Sequence, residues 1–279
     1  MQPIQMVDLQ SQYKQLKTEL DARVIKCIES GAFIQGPEVK SFEADLSAYL
    51  DGAHVIACAN GTDALQIALM ALNLEHGDEV IVPSFTFVAS VEVIALLGLK
   101  PIVVDVDPRT FLMKTEDIEA SLSPRTKAII PVHLFGQCVN MKTLMAIAKS
   151  RDLYVIEDNA QSIGARCNTS DDTKQMSGTI GHIGCTSFYP SKNLGCYGDG
   201  GAMFSRDEHL AHKIKMLANH GMDRRYYHDE IGVNSRLDSV QAAILNVKLP
   251  HLDQWNQMRR KAADQYDQQL AKISNILVP

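Results

Sequence analysis

The chain has 279 residues, a formal net charge of −6 and a hydrophobic fraction of 46%. This length suffices for one large domain with a smaller appended one, and the composition is ordinary for a globular protein. The sequence contains no basic stripe typical of nucleic-acid binding, no apolar run long enough to cross a membrane, and no signal-peptide pattern. We therefore expect a cytoplasmic protein that binds neither nucleic acid nor a membrane.

Six cysteines are spread along the chain without a C-x-x-C pair, at 27, 58, 138, 167, 185 and 196. We expect free thiols that fill core space, and no zinc site. His209 and His212 lie three residues apart on a predicted exposed helix, where a solvated face is the better interpretation, so no metal site is predicted.

Helices are predicted first, from Ser11 to Ser30 and from Glu38 to Leu50. Short apolar strands then alternate with helices. The predicted strands are 55–57, 79–82, 101–104, 128–130, 154–156, 185–188 and 202–204. The predicted later helices are 62–72, 87–97, 141–150, 207–219, 235–249 and 250–273. The polar stretch 166–181 predicts a mobile loop or hairpin. This alternation predicts an α/β fold with a mainly parallel sheet covered on both faces.

Three polar clusters follow predicted strands, at 60–62, 83–87 and 157–161. Ligands of open α/β sheets gather at the carboxyl ends of the strands, where these clusters would lie. Each cluster alone is equally well explained as an ordinary loop.

Lys192 lies in the segment Ser187–Gly195, among Pro, Ser, Asn and Gly residues. A lysine shielded from water can have a lowered pKa and act as an amine nucleophile. The segment alone does not distinguish such a lysine from one in a surface turn.

Asp158 follows a buried strand, so its carboxylate could face a ligand above the sheet, or it could cap the next segment. Gly61 and Thr62 begin a helix whose free N–H groups and dipole suit a phosphate, although a well-capped helix explains them too. The P-loop and G-x-G-x-x-G patterns are absent.

Phe85 and Phe87 could stack on a flat ring or pack in the core. Asn234 and Arg236 precede a predicted helix and could contact an anion. The other interpretation is that Asn234 or Ser235 is the N-cap of that helix.

The motifs ANGTDAL, PSFTFVAS, EDNAQSIGA, SFYPSKNLGCYGDGGA and GVNSRLDSVQAA occur in this order over nearly the whole chain. Together they resemble the DegT-type sugar aminotransferases, fold type I enzymes that use pyridoxal 5'-phosphate (PLP) and act on nucleotide-linked keto-sugars. The resemblance implies a three-layer αβα domain and aminotransferase activity with PLP as cofactor.

By this resemblance Lys192 would carry the cofactor and shuttle the proton between substrate and cofactor. Asp158 would hold the proton on the pyridine nitrogen, Gln161 would bind the ring hydroxyl oxygen, and Phe87 would stack on the ring. Relatives that dehydrate sugars have His at the lysine position, so Lys192 favours transamination. Asn159 replaces the family's Ala, a minor departure.

The resemblance also implies a phosphate site made by Gly61, Thr62 and Ser187. Asn234 would complete this site from the neighbouring subunit, which implies a homodimer with shared active sites.

The closest resemblance is to 3-aminotransferases of UDP-2-acetamido-2-deoxy-hexuluronates, which use glutamate and serve bacterial lipopolysaccharide and other surface-polysaccharide biosynthesis. Arg236 could there bind the carboxylate of the sugar. The sequence itself does not fix the sugar, the aminated carbon or the donor.

Family members continue beyond the length of this chain with most of a small domain. We therefore expect a large domain at 1–249 and the start of a small, apparently truncated domain at 250–279. One alternative is a PLP-binding but catalytically impaired homologue or ligand sensor. Another is a cofactor-free α/β protein in which Lys192 is only structural.

Overall fold

The computed structural model describes residues 7–170 and 173–278. Its α-helices, in chain order, are α1 (Leu9–Ser30), α2 (Pro37–Tyr49), α3 (Gly61–Ala71), α4 (Ala89–Leu96), α5 (Glu116–Ala120), α6 (Met141–Arg151), α7 (Glu208–Leu217), α8 (Ser239–Lys248) and α9 (Leu252–Leu270). Its strands are β1 (His54–Cys58), β2 (Glu79–Pro83), β3 (Lys100–Val104), β4 (Thr126–Ile129), β5 (Tyr154–Asp158), β6 (Arg166–Asn168), β7 (Lys174–Met176), β8 (Ile183–Ser187), β9 (Gly201–Ser205), β10 (Met222–Arg224) and β11 (Tyr227–His228). None of the described helices has the length and apolar character needed to span a membrane.

A seven-stranded sheet in the order β1-β9-β8-β5-β4-β2-β3 forms the centre of the molecule. The neighbours from β3 to β8 are parallel, whereas β9 is antiparallel to both β8 and β1. The sheet is therefore mainly parallel, as predicted. The sequence did not reveal that β9, the neighbour of the edge strand β1, is antiparallel to the strands beside it.

Both faces of the sheet are covered because side chains alternate between them along each strand. Val80 and Val82 of β2 pack in the core on one face, with residues of α3, α4 and α7. Ile81 lies between them in sequence and packs in the core on the other face, with α5 and α6. On that same face α2 and α8 cover β1 and β9. These layers confirm the predicted αβα architecture.

The segment before α8 differs from the prediction of a helix from 235. Residues 234–238 are outside the helix, which begins at Ser239. Ser235 is buried; its Oγ donates to Asp63 Oδ2 at 2.6 Å and accepts the N–H of Ala59 at 3.1 Å. These long-range bonds hold the segment against the start of α3, and periodicity cannot reveal them.

Other predicted boundaries shift by a few residues. The stretch 166–181 contains the hairpin β6–β7, and α9 is shorter than the predicted helix 250–273. Helix α5 was not predicted, because five residues are too few for a periodic pattern.

Two cysteines correct the expectation of six free thiols. Cys138 and Cys167 form a disulfide although they are 29 residues apart in sequence. The loop after β4 and the strand β6 bring their Cα atoms to 5.4 Å. The other four cysteines are buried free thiols, as expected.

Candidate active site

A cavity of about 570 Å³ opens at the carboxyl ends of the central strands. It lies at the start of α3, the turn after β2, the end of β5 and the loop that follows β8. Seven predicted site residues line it together: Gly61, Thr62, Phe87, Asp158, Gln161, Ser187 and Lys192. Residues from four separate parts of the sequence thus share one cavity.

Asn234 and Arg236 do not line this cavity in the same chain. Asn234 is exposed, and Arg236 lines a neighbouring pocket with Lys40 and Glu43. Only Ser235, between them, contacts the start of α3. The position of Asn234 outside the cavity of its own chain is compatible with the expectation that it serves the cavity of a neighbouring subunit.

Asp158 is the last residue of β5 and is buried. Ser90 Oγ donates to its Oδ2 at 2.8 Å, and the N–H of Ala160 donates to its Oδ1 at 3.1 Å. Thr86 Oγ1 lies 2.9 Å from Ser90 Oγ and extends this chain of hydrogen bonds. The carboxylate is thus held in one orientation at the cavity. Sequence reasoning missed Ser90, although it lies within the PSFTFVAS motif.

Lys192 is half-buried in the loop after β8. Loss of solvent lowers the pKa of Lys192, and the negative charge of Asp158 opposes that shift. Lowering the pKa enlarges the fraction of neutral amine, the form that attacks an aldehyde. Lys192 and Asp158 therefore place an amine and a carboxylate in the same cavity.

The loop that carries Lys192 is closed by backbone hydrogen bonds. The N–H of Lys192 donates to the carbonyl of Tyr189 at 2.8 Å, and the N–H of Cys196 donates to the carbonyl of Phe188 at 2.8 Å. A Cβ at Gly195 would lie 2.4 Å from the carbonyl oxygen of Pro190. Glycine is required there because the chain folds tightly back on itself.

The start of α3 offers hydrogen-bond donors to the cavity. Asn60 caps the helix by accepting the N–H of Asp63 at 2.8 Å. The N–H groups of Gly61 and Thr62 have no partner among the hydrogen bonds of the described residues, as is usual in a first turn. A Cβ at Gly61 would lie 2.6 Å from Ser187 Cβ, so glycine allows Ser187 to approach these N–H groups.

These donors fit a phosphate. Ser187 Oγ accepts the N–H of Tyr189 at 3.2 Å, which leaves its own proton free to donate. The Thr62 hydroxyl also lines the cavity, and the positive end of the α3 dipole favours a negatively charged phosphate there.

Gln161 and Phe87 also line the cavity. Gln161 Oε1 accepts the N–H of Phe135 at 2.9 Å, which fixes the amide and leaves its Nε2 group as a donor. Phe87 is 67% exposed, so its ring is available for stacking. An acid, an amine, an aromatic ring and phosphate donors in one cavity together fit PLP.

Glu157 supports the cavity from inside the sheet and was also missed by sequence reasoning. It is fully buried and accepts hydrogen bonds from His133 Nε2 and from three backbone N–H groups in the turn 178–181. His133 Nδ1 accepts the N–H of Val139, so the proton is on Nε2. Burial alone would raise the pKa of Glu157, but the hydrogen bonds from His133 and from the backbone of the turn outweigh it and lower the pKa.

The family model for the DegT/DnrJ/EryC1/StrS aminotransferases matches residues 14–279. The chain belongs to this family. It is 48% identical, over 97% of its length and 74% of the relative, to the UDP-2-acetamido-2-deoxy-3-oxo-D-glucuronate aminotransferase of Pseudomonas aeruginosa.

Solved structures agree. A family aminotransferase from Brucella abortus superposes with a TM-score of 0.93 and 45% identity, covering 97% of this chain and 74% of that one. NtdA from Bacillus subtilis, solved with bound pyridoxamine phosphate (PMP), superposes with a TM-score of 0.90 and 34% identity, covering 99% of this chain and 62% of that one. This aminotransferase is thus a fold type I, PLP-dependent enzyme, and the predicted family, fold, activity and cofactor are confirmed. A catalytically impaired homologue is not favoured.

Proposed function

We propose that this aminotransferase transfers an amino group from glutamate to C3 of a 3-keto UDP-N-acetyl-hexuronate for bacterial surface-polysaccharide biosynthesis, including lipopolysaccharide. The observation that carries the reaction is the cavity where Lys192 and Asp158 meet. The similarity to the Pseudomonas enzyme named for such a substrate supports the choice of sugar.

Lys192 would bind PLP covalently through its Nζ atom. When bound, PLP supplies an electron-withdrawing ring that stabilises negative charge at the substrate carbon. Lys192 would take the proton from the α-carbon of glutamate and, in the second half of the reaction, give a proton to C3 of the sugar. Asp158, oriented by Ser90, would hold a proton at the ring nitrogen.

The remaining cavity residues would fix the position of the cofactor. Gly61, Thr62 and Ser187 would hold the phosphate, Gln161 would donate to the ring hydroxyl oxygen, and Phe87 would cover the ring. Each role uses a donor or a surface that the cavity leaves open.

Asn234 of a partner subunit would complete the phosphate site. Arg236 lies two residues away in the same extended segment, so we assign it to the same partner cavity, where it would bind the sugar carboxylate. A homodimer is supported by four large apolar side chains at the end of α1 and in the turn after it. Ile25, Ile28, Phe33 and Ile34 are each between 47% and 54% exposed.

The test is a two-stage spectrum. Glutamate added to the PLP-loaded enzyme should convert the lysine-bound cofactor to the amino form, and a 3-keto UDP-N-acetyl-hexuronate should restore it, as expected for a ping-pong reaction. The matched sugar without a carboxylate should react more slowly, and Arg236→Ala should remove that difference. A spectrum that glutamate leaves unchanged would exclude glutamate as the amino donor; equal rates for both sugars would exclude the uronate assignment.

A further inference from the structure

Lys248, the last residue of α8, is a cation buried in the core. Its residue exposure is 0%, and its Nζ atom donates to the carbonyl of Gly195 at 2.7 Å. The same atom lies 4.0 Å from the centre of the Tyr197 ring. Among the described residues, no carboxylate forms an ion pair with it. Its partners are therefore a neutral carbonyl and an aromatic face.

Such an arrangement is costly for the fold alone. Burial of an ammonium group without a counter-charge is unfavourable, and loss of solvent lowers the pKa of Lys248 to about 8. An apolar side chain at the end of α8 would fill the same space without this cost. The contacts that Lys248 makes therefore indicate what the charge is used for.

Both contacts are with the loop that carries Lys192. Gly195 is three residues after Lys192 and is pressed against the carbonyl of Pro190, so its position is coupled to the turn around Lys192. A second residue of α8, Gln241, accepts the N–H of Tyr197 at 2.9 Å and donates to its carbonyl at 3.4 Å. Helix α8 thus holds the loop at two residues, Gly195 and Tyr197.

Lys248 does not line the cavity, so it acts on the reaction only through this loop. We propose that Lys248 is a positioning residue: its ammonium group holds the carbonyl of Gly195 and thereby fixes the loop that presents the Lys192 amine to PLP. This inference rests on the proposed function only in assigning Lys192 as the cofactor lysine.

The principal variant is Lys248→Met, which keeps the side-chain volume and removes the donor. Without Nζ the buried carbonyl of Gly195 loses its partner, and the loop must move to satisfy it. Displacing a reacting group by about 1 Å costs on the order of a hundredfold in rate, and cofactor attachment needs the same alignment. We expect half-saturation by PLP to require about tenfold more cofactor.

Two readouts follow Lys192 itself. One is the absorbance band of the lysine-bound cofactor during titration with PLP. The other is the amount of phosphopyridoxyl adduct on Lys192 after borohydride reduction, measured by mass spectrometry. Both are compared at an equal folded fraction, determined by urea unfolding. Lys261→Met, which removes an exposed lysine of α9, is the matched control and should behave like the wild type.

Two further variants serve if Lys248→Met does not fold. Lys248→Gln keeps an amide donor for Gly195 and should bind PLP within about threefold of the wild type. Tyr197→Leu removes the aromatic face at a partly exposed position and should weaken PLP binding about threefold.

The outcomes separate the inference from the proposed function. A wild-type enzyme without an adduct on Lys192 would overturn the proposed function. An adduct in the wild type, with half-saturation of folded Lys248→Met within twofold of it, would overturn the positioning role. If Lys248→Met does not fold, PLP binding by folded Tyr197→Leu that equals that of the wild type would overturn it too.

Discussion

Asp158 depends on a neighbouring hydroxyl that its own strand does not provide. Ser90 of α4 donates to Oδ2 of Asp158, although the two residues are 68 positions apart in sequence. A donor on the carboxylate stabilises its ionised form, which is the form that can hold a proton on a ring nitrogen. Ser90 therefore fixes the orientation of the Asp158 carboxylate at the cavity.

Ser90→Ala should slow the glutamate half-reaction by about tenfold, because a hydrogen bond to a charged group contributes about 1.5–3 kcal/mol. The rate is measured by stopped-flow absorbance with saturating PLP. Ser90→Thr, which keeps the hydroxyl, should retain most of the rate. Equal rates in the Ala and Thr variants would show that the hydroxyl is unimportant.

The sequence located the residues that lie directly after strands and did not locate those that act across the fold. Gly61 and Asp158 could be predicted because parallel strands bring their carboxyl ends to one edge, whereas Ser187 was assigned only through the family resemblance. Ser90 and Lys248 could not, because a serine or lysine in an apolar helix pattern carries no sign of the partner it meets.

Glu157 joins elements that are distant along the chain. It lies on β5 beside Asp158 but faces the other side of the sheet, as alternation requires. There it connects His133, after β4, to the turn between β7 and β8. The two carboxylates of one strand thus have different tasks, one at the cavity and one in the core.

Glu157→Gln should lower the free energy of unfolding by about 3 kcal/mol at neutral pH, because the new amide group faces N–H donors. The pKa of Glu157 lies below its ordinary value of 4.5, so its contribution is complete above that pH and is lost as pH falls through the lower folded-state pKa. Urea unfolding should show a constant difference from pH 8 to about 6 that narrows below about pH 4.5. Glu29→Gln, at an exposed position, is the control; a difference that grows in acid would contradict the assignment.

Most elements were predicted correctly because their burial pattern is local. The apolar run 80–82 of β2 indicates a buried strand by itself, and all five residues of β2 are buried. The antiparallel pairing of β1 with β9 and the disulfide between Cys138 and Cys167 depend on partners far along the chain. Local periodicity has no information about such partners.

At the scale of the molecule, the last helix marks the edge of the packed core. Helix α9 buries only Leu252 and Asn256. Asn256 nevertheless connects the loop that carries Lys192 to the segment after β5, since it accepts from Asn193 at 2.8 Å and donates to the carbonyl of Ile163 at 3.1 Å. Most of the other residues of α9 are exposed, so the helix packs on the core mainly through its first two turns.

The proposed sharing of active sites between two subunits makes a prediction that a monomer cannot satisfy. Lys192→Ala removes the amine, and Asn234→Ala should weaken PLP retention by removing one phosphate donor from the partner's cavity. Each variant alone should be impaired. In a mixed dimer one cavity carries both substitutions and the other carries neither, so mixing after dissociation should restore activity.

Random re-association of equal amounts yields hybrids for half of the dimers, each with one intact cavity, so about one quarter of the wild-type activity should return. The control is the double variant mixed with itself, which should stay inactive. If Asn234 instead served its own chain, every hybrid would contain two damaged cavities, and mixing would restore nothing. Asn234 lies outside the cavity of its own chain, unlike the seven cavity residues. Recovery of activity therefore requires that Asn234 serves the cavity of the partner subunit.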